Sequence, residues 1–208
     1  LFSALTTIVA HFFGESHHFD RLAGVLEARL DDLRKGGRMR IWSAGCSNGQ
    51  EAYSAAMRLL EHCPEVARFD LRILATDIDP KVVQFAQDGV YPERLMDGVP
   101  EALRKRHFSA RREADEQRFA VKESVRKLIR FKELNLLSDW PMQGRFDVIF
   151  CRNVVIYFDP ATQARLWPRF HAALRPEGML FVGHSERIAP PESMGFRGDG
   201  PTCYRPLP

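Results

Sequence analysis

The 208-residue sequence predicts an α/β fold built on a mostly parallel, doubly wound sheet. Short apolar runs alternate with amphipathic segments of helical period, which is the pattern of strand–helix–strand units. A glycine-rich loop separates the first predicted strand from the next helix, a place where such sheets bind ligands. Because 45% of the residues are hydrophobic and 27% are charged, the chain can bury its own core, which argues against a disordered protein. We expect one domain over residues 1–208.

The predicted elements follow from apolar periodicity and from the residues that interrupt it. In chain order they are helix 19–33, strand 39–44, helix 51–60, strand 71–76, helix 80–87, strands 128–133 and 146–151, helix 160–174, strand 179–183 and a last edge strand 202–205. Gly36 and Gly37 end the first helix, and Pro80 suits the first position of the third. A Pro-Glu-Gly turn at 176–178 separates the last helix from the strand that follows it.

The alternation of strands and helices stops beyond Gly89. Pro92 and Pro100 interrupt the pattern, and residues 118–126 are predicted to form a short hairpin. The alternation resumes with strand 128–133. We therefore predict an insertion over approximately residues 89–127, between the second and third strands of the main sheet.

Polar residues or glycines follow four of the predicted strands, at the sheet edge where open α/β sheets bind ligands. These residues are Gly45, Cys46, Ser47, Asn48 and Gly49, then Asp77, then Asn135, then Arg152 and Asn153. The glycine loop is neither the G-x-G-x-x-G dinucleotide motif nor a P-loop. An acid at the end of the second strand can accept hydrogen bonds from both hydroxyls of a ribose. Together the four strand ends predict a nucleoside site.

Each of these residues also has a simpler interpretation. The glycines can form an ordinary tight turn, and Asp77 or Asp79 can cap the helix that follows. Asn135 and Asn153 can be turn residues. Taken one at a time these residues do not decide between a turn or cap and a ligand site, whereas the four strand ends together favour a nucleoside site. Composition and periodicity predict nothing more specific than that.

Four motifs resemble those of CheR-type chemotaxis receptor methyltransferases, and the resemblance runs in order from Leu5 to Tyr204. The motifs are IWSAGCSNGQEAYS at 41–54, ATDID at 75–79, FCRNVVIYF at 150–158 and GHSE at 183–186. Proteins of this family are protein-glutamate O-methyltransferases that use S-adenosylmethionine and release S-adenosylhomocysteine. The resemblance thus implies a Rossmann-like methyltransferase sheet, and it matches the insertion to the family's small β-subdomain, which in some members docks a receptor tail peptide.

The resemblance also implies a role for each strand-end residue. Glu51 and the loop from Gly45 to Gly49 would contact the methionine part of the cofactor, and Asp77 would bind the ribose hydroxyls. The remaining cofactor contacts would come from Asn135 and Leu136 at the adenine and from Arg152 and Asn153 along the pocket. Tyr157 would lie near the transferred methyl group and the incoming glutamate, as the catalytic residue. No metal is expected.

The N-terminal motif departs from its family. Residues 6–15 read TTIVAHFFGE where the family pattern is TTNxTxFFRE, so Ile8, Ala10 and Gly14 replace three polar residues. An arginine that holds a carboxylate is worth about 1.5–3 kcal/mol for each charged hydrogen bond. Two hypotheses follow: an active enzyme, or a degenerate, non-catalytic domain that binds a protein partner or senses the cofactor.

Cysteine usage and hydropathy indicate the cellular compartment that we expect for the protein. The four cysteines form no CxxC pair, which favours free thiols in a reducing cytoplasm. No apolar run approaches the ~18 residues of a membrane span, so we expect no membrane insertion. We expect a monomer, and we expect the family's N-terminal helical domain to be absent from the chain.

The charge of the chain is concentrated in one segment. Residues 104–132 carry eleven Lys or Arg and four acids, whereas the whole chain has a net charge of only +3. A solvated basic face is one explanation. No aromatic platform for stacking bases accompanies the charge, which argues against a nucleic acid as partner. The family resemblance implies a glutamate-rich receptor or signalling protein instead, because the methylation-site helices of such receptors are rich in glutamate.

Neutralising Arg111, Arg112 and Arg118 together should weaken association with an acidic helical receptor fragment. Electrostatic steering acts mainly on the association rate and is screened by salt, so we expect a slower association whose salt dependence is reduced. Binding kinetics at low and high salt measure both. Association by the unmodified protein that does not depend on salt would contradict the prediction.

Overall fold

The computed structural model describes residues 11–113 and 115–208. In chain order its helices and strands are α1 (Ser16–Arg34), β1 (Arg38–Ala44), α2 (Gln50–His62), β2 (Asp70–Asp77), α3 (Pro80–Asp88), β3 (Val90–Pro92), α4 (Glu101–His107), β4 (Phe108–Glu113), β5 (Glu116–Val121), α5 (Glu123–Arg126), β6 (Ile129–Glu133), β7 (Phe146–Cys151), α6 (Pro160–Ala173), β8 (Leu174–Val182), β9 (Phe196–Gly198) and β10 (Cys203–Pro206). Short 3₁₀ turns lie at Pro64–Arg68, Glu93–Leu95, Val155–Tyr157 and Glu192–Met194.

The main sheet has seven strands in the order β6-β2-β1-β7-β8-β10-β9. The first five of these are parallel, and β10 joins β8 in the antiparallel direction. The strand order reverses between β1 and β7, which makes their carboxyl ends the topological switch point of the sheet. The predicted α/β fold with a mostly parallel sheet is confirmed.

Both faces of the sheet are buried. Ile41 and Trp42 are neighbours on β1, and both are fully buried, but they belong to different apolar clusters. The first cluster contains side chains of α1, α2 and the inserted segment, and the second contains side chains of α6. A strand covered on both faces reads as a continuous apolar run, which is why β1 and β7 are visible in the sequence.

The hairpin predicted at 118–126 is wrong. The hairpin is formed by β4 and β5, in which Glu113 pairs with Glu116, and α5 follows as a single helical turn. β5 also pairs with β3, so these strands form a separate sheet in the order β3-β5-β4. Between Glu113 and Glu116 the sequence reads Ala-Asp, which is not the Asn-Gly or Asp-Gly pair that marks a tight hairpin.

The turn predicted at 176–178 lies inside β8. Phe146 of β7 pairs with Leu174, but Val148 pairs with Met179, so extra residues of β8 form a bulge between these pairs. A Cβ atom at Gly178 would lie 2.9 Å from the carbonyl oxygen of Arg175, which explains the glycine there.

The arginines of the basic segment differ in how they are engaged. Arg118 forms ion pairs with Glu113 and Glu116 at 3.4 and 3.0 Å. Arg111 and Arg112 are exposed on β4, and within the described residues neither has an ion-pair partner. The free positive charge of this sheet is therefore carried by β4.

The described helices include none that combines the length and the apolar character needed to cross a membrane.

Candidate functional site

The glycine loop after β1 is held against the end of β2. The backbone N–H groups of Gly45 and Cys46 both donate to the carbonyl oxygen of Thr76 at 2.8 Å. Gly45 has a φ of +83°, and a Cβ atom there would lie 2.3 Å from Cγ2 of Val154 in the loop after β7. Only glycine therefore lets the loops after β1 and β7 approach this closely.

Gly49 is the N-cap residue of α2 and also has a φ of +83°. A Cβ atom at this position would lie 2.8 Å from the Cβ of Ala86 in α3. Both glycines that the sequence analysis selected are thus required by close backbone approach at the carboxyl edge of the sheet.

Asp77 ties the glycine loop to the end of β2. Its Oδ2 accepts a hydrogen bond from Ser47 N at 2.9 Å, and its Oδ1 accepts one from Asp79 N at 3.1 Å. The helix cap is Asp79, whose Oδ1 accepts from Lys81 N at 2.8 Å. Asp77 is therefore not the cap of α3, and each of its oxygens keeps a lone pair that can accept from a ligand hydroxyl.

Arg152, at the end of β7, is the centre of a buried ion-pair cluster. Its side chain is 8% exposed and contacts Glu15 at 2.6 Å and Glu51 at 3.2 Å. Its Nη2 also donates to the carbonyl oxygen of Gly14 at 2.8 Å. Glu51 is held from its other side by Ser43, whose hydroxyl donates to Oε1 at 2.7 Å. The cluster thus joins the start of α1 to β1, α2 and β7.

The charge of this cluster suits a cationic ligand. Burial raises the pKa of Glu51, and the Arg152 guanidinium and the Ser43 hydroxyl oppose that shift. With both acids ionised, two carboxylates face one guanidinium, which leaves negative charge in excess. Oε1 of Glu15 is buried and has no hydrogen-bond partner among the described residues. An unpartnered buried carboxylate oxygen can accept a hydrogen bond from a ligand ammonium group, so these residues fit S-adenosylmethionine.

The loop after β7 carries Asn153 and Tyr157. Asn153 has a φ of +57°, and its Oδ1 is buried without a partner in the part of the chain that is described. Tyr157 ends the 3₁₀ turn and is 45% exposed. The structure therefore puts a buried amide oxygen and an accessible phenol on one loop at the switch point.

The residues after β6 form a turn. Oδ1 of Asn135 accepts from Leu137 N at 2.9 Å, so Asn135 is a turn residue as the simpler interpretation had it. Its amide NH₂ group is not used by that bond. The Leu136 side chain is buried in the cluster shared with α6, and its carbonyl oxygen accepts from Arg169 at 2.7 Å. Exposed Leu137 and Ile78 follow neighbouring strand ends.

The geometry adds two acids that sequence reasoning did not assign to the site. Glu15 pairs with Arg152, and Glu186 accepts hydrogen bonds from the loop after β7. Glu15 is kept in the divergent N-terminal motif, and Glu186 ends the GHSE motif. Both motifs were recognised in the sequence, but neither acid could be given a function from the sequence alone. Of the three divergent positions, Gly14 lies beside Arg152, while Ile8 and Ala10 lie outside the described residues.

A second cluster joins α1 to β10. His17, His18 and Cys203 each have a potential ligand atom within 4.8 Å of the others. Burial, with Arg152 and His17 nearby, lowers the pKa of His18 to about 3. His18 Nε2 already contacts Thr202 Oγ1 at 2.8 Å. We assign no metal to this cluster, and the expectation of a metal-free protein stays a prediction.

A groove of about 530 Å³ lies away from the strand-end loops. It is lined by α1 and by residues near the starts of β7 and β8, among them Arg29 and Asp147, which form an ion pair. The groove is therefore at the amino edge of the sheet and is not part of the candidate site.

Comparisons with known proteins show the family to which the chain belongs. A family model described as "CheR methyltransferase, SAM binding domain" matches residues 9–197. A "Probable chemotaxis protein methyltransferase" of Rhizobium etli is 48% identical, over 99% of this chain and 77% of that protein. "Chemotaxis protein methyltransferase 2" of Pseudomonas aeruginosa is 42% identical, over 98% and 71%, and the "Chemotaxis protein methyltransferase" of Escherichia coli is 39% identical, over 97% and 68%.

Among solved structures, the DszA carbon methyltransferase has a TM-score of 0.51 at 20% identity, covering 80% of this chain and 35% of that one. This likeness supports a shared fold only.

Substituting the two aspartates at and just after the end of β2, Asp77 and Asp79, should distinguish cofactor binding from helix capping. Asp77→Ala should weaken S-adenosylhomocysteine binding at least about tenfold, because it removes the tie to Ser47 and the carboxylate that we predict to accept from the ribose hydroxyls. Asp79→Ala should lower the free energy of unfolding by about 1 kcal/mol and leave the affinity unchanged, because it removes only a helix cap. Calorimetric titration and denaturant unfolding measure the two effects. Equal loss of affinity in both variants would contradict the assignment.

Proposed function

Because the chain belongs to the CheR methyltransferase family, we propose that it transfers a methyl group from S-adenosylmethionine to glutamate side chains of a chemoreceptor-like protein. Its cofactor is S-adenosylmethionine, since the matching family domain is the one that binds it. The names of the relatives support methyl transfer in chemotaxis. The choice of glutamate as acceptor follows from the family resemblance of the FCRNVVIYF motif at 150–158.

The observation that carries the proposal is the buried cluster of Arg152 with Glu15 and Glu51 at the switch point. In our assignment Glu51, the glycine loop and the free oxygen of Glu15 hold the methionine part of the cofactor. Asp77 binds the ribose hydroxyls. The adenine lies near Asn135 and Leu136, and Arg152 and Asn153 line the pocket between them.

The chemistry asks little of the protein beyond positioning. When bound, S-adenosylmethionine supplies an activated methyl group on a sulfonium that is its own leaving group. A glutamate side chain, with an ordinary pKa near 4.3, is already ionised at neutral pH and needs no general base. The site therefore has to align the two reactants and exclude water. We assign Tyr157 to the mouth of the cleft, beside the incoming carboxylate, because its ring is 45% exposed there.

Gly14 supports a second candidate function, a non-catalytic module that binds a partner or senses the cofactor. The family pattern has an arginine at this position, whereas Gly14 has no side chain. The backbone oxygen of Gly14 accepts a hydrogen bond from Arg152. The Arg152 guanidinium is itself engaged by Glu15 and Glu51. Within residues 11–113 and 115–208, the cluster thus offers no spare guanidinium to an acceptor carboxylate.

Methyl transfer to a receptor fragment separates these two functions. The protein is incubated with methyl-labelled S-adenosylmethionine and a cytoplasmic receptor fragment, and the label released by mild alkali is counted, since carboxyl methyl esters are alkali-labile. The proposal predicts alkali-labile label whose rate of formation, at a cofactor concentration below saturation, falls at least about tenfold with Asp77→Ala. Binding of S-adenosylhomocysteine without any such label would establish the non-catalytic module instead.

Returning an arginine at position 14 should raise turnover. A Cβ atom at Gly14 has only ordinary contacts, 3.6 Å to the carbonyl oxygen of His11 and 3.7 Å to Nη2 of Arg152, so a side chain fits. Gly14→Arg should raise kcat/KM for the receptor fragment at least about tenfold through one or two charged hydrogen bonds to the acceptor. Gly14→Ala is the matched control. An arginine variant no faster than the alanine variant would show that position 14 does not limit transfer.

A further inference from the structure

The GHSE motif after β8 has a single buried acid, Glu186, which is 2% exposed. Its carboxylate accepts five backbone N–H bonds. Oε1 accepts from Val154 and Val155 at 2.8 Å and from Ile156 at 3.3 Å. Oε2 accepts from Asn153 at 2.8 Å and from Gly183 at 2.6 Å. Four of the five donors thus belong to the loop after β7, which carries the candidate site residues.

No cation lies within ion-pair distance of Glu186 in the described portion of the chain. The backbone dipoles of the 153–156 segment therefore balance the buried charge. Carboxylate–amide bonds of this kind are about twice as strong as bonds between neutral groups. Removing the carboxylate would leave several buried N–H groups without an acceptor, which is costly.

Gly183 packs closely against both Glu186 and the loop after β7. A Cβ atom on Gly183 would lie 2.6 Å from Oδ1 of Asn153, 2.9 Å from its backbone N and 2.9 Å from Oε2 of Glu186. Asn153 sits at a φ of +57°, a left-handed conformation that is uncommon for L residues and that asparagine tolerates better than most. Gly183 and Glu186 together form a socket that fixes Asn153 and the turn leading to Tyr157.

The charge of Glu186 also reaches the ion-pair cluster. It is one of the contributions, after burial, that raise the pKa of the buried Glu51. Glu186 thus adds to the negative charge of Glu15 and Glu51, which are the two carboxylates that contact the Arg152 guanidinium. Such a surplus of negative charge favours a sulfonium over a neutral thioether at the same place.

We propose that Glu186 is a positioning residue of the methyl-transfer site: it sets the backbone of residues 153–156 so that Asn153 and Tyr157 face the cofactor cleft. The role of Tyr157 in this statement rests on the proposed function, whereas the fixed loop and its effect on cofactor binding do not. Glu186 does not touch substrate in this assignment; it acts through the loop.

Amide hydrogen exchange of the cofactor-free protein tests the socket directly and needs no activity. The N–H groups of residues 153–156 should exchange at least about 100-fold more slowly than unstructured amides, because a buried acceptor protects them. Exchange close to the unstructured rate would overturn the proposal whether or not the protein transfers methyl groups.

Glu186→Gln tests the effect on the site. One acceptor oxygen becomes a donor that faces backbone N–H groups, so protection at 153–156 should fall about tenfold or more while amides of β2 keep theirs. Affinity for S-adenosylmethionine should fall more than affinity for S-adenosylhomocysteine, since only the former carries the sulfonium charge. A purely structural role would lower both affinities equally. In the turnover assay kcat should fall by a larger factor than KM for the receptor fragment rises.

Glu192→Gln, on an exposed glutamate of the same connection, is the matched control and should change none of these quantities. If Glu186→Gln does not fold, Gly183→Ala tests the loop with the carboxylate intact: its methyl group should displace Asn153, so amide protection at 153–156 and kcat should both fall. In Glu186→Gln, an equal loss of affinity for the two cofactor forms together with an unchanged kcat would overturn the proposal. In Gly183→Ala, unchanged protection at 153–156 together with an unchanged kcat would overturn it.

Discussion

The ion pairs of Arg152 are the interaction on which the candidate site depends. A guanidinium that is 8% exposed is stable only when carboxylates and carbonyl oxygens surround it, and here Glu15, Glu51 and the Gly14 backbone do so. Removing one partner of a buried ion pair costs about 3–5 kcal/mol, because the other charge is left uncompensated. The same contacts fix the start of α1 against the end of β7, so this segment is held at the switch point of the sheet.

The sheet topology brings these groups together. The order β6-β2-β1-β7 puts the carboxyl ends of four parallel strands side by side, and each contributes one loop. These loops are held by specific contacts: Ser47 to Asp77, Gly45 against Val154, and Glu186, from the loop after β8, to the 153–156 backbone. A ligand bound there meets groups that are already in position, which is the physical requirement for a reaction that needs alignment more than proton transfer.

The fold and the positions of the strand-end residues could be predicted because both depend on local patterns. Apolar periodicity located β1 and β7, and the rule that ligands bind at carboxyl strand ends selected Asp77 and Arg152. The partners of these residues could not be predicted, since Arg152 and Glu15 are 137 positions apart and Asn153 and Glu186 are 33 apart. The misplaced hairpin has a different cause. The sequence between β4 and β5 contains no Asn-Gly or Asp-Gly pair, so it gives no signal for a tight turn there. The hairpin was therefore predicted at 118–126, which begins within β5.

A crystal structure with S-adenosylhomocysteine tests the central claim most directly. The account predicts the ribose hydroxyls within hydrogen-bond distance of the Asp77 carboxylate and the amino group of the methionine part on Glu15 or Glu51. The ion pairs of Arg152 should remain as they are. A ligand bound away from Asp77, or one that enters only after Arg152 has left both carboxylates, would contradict the account.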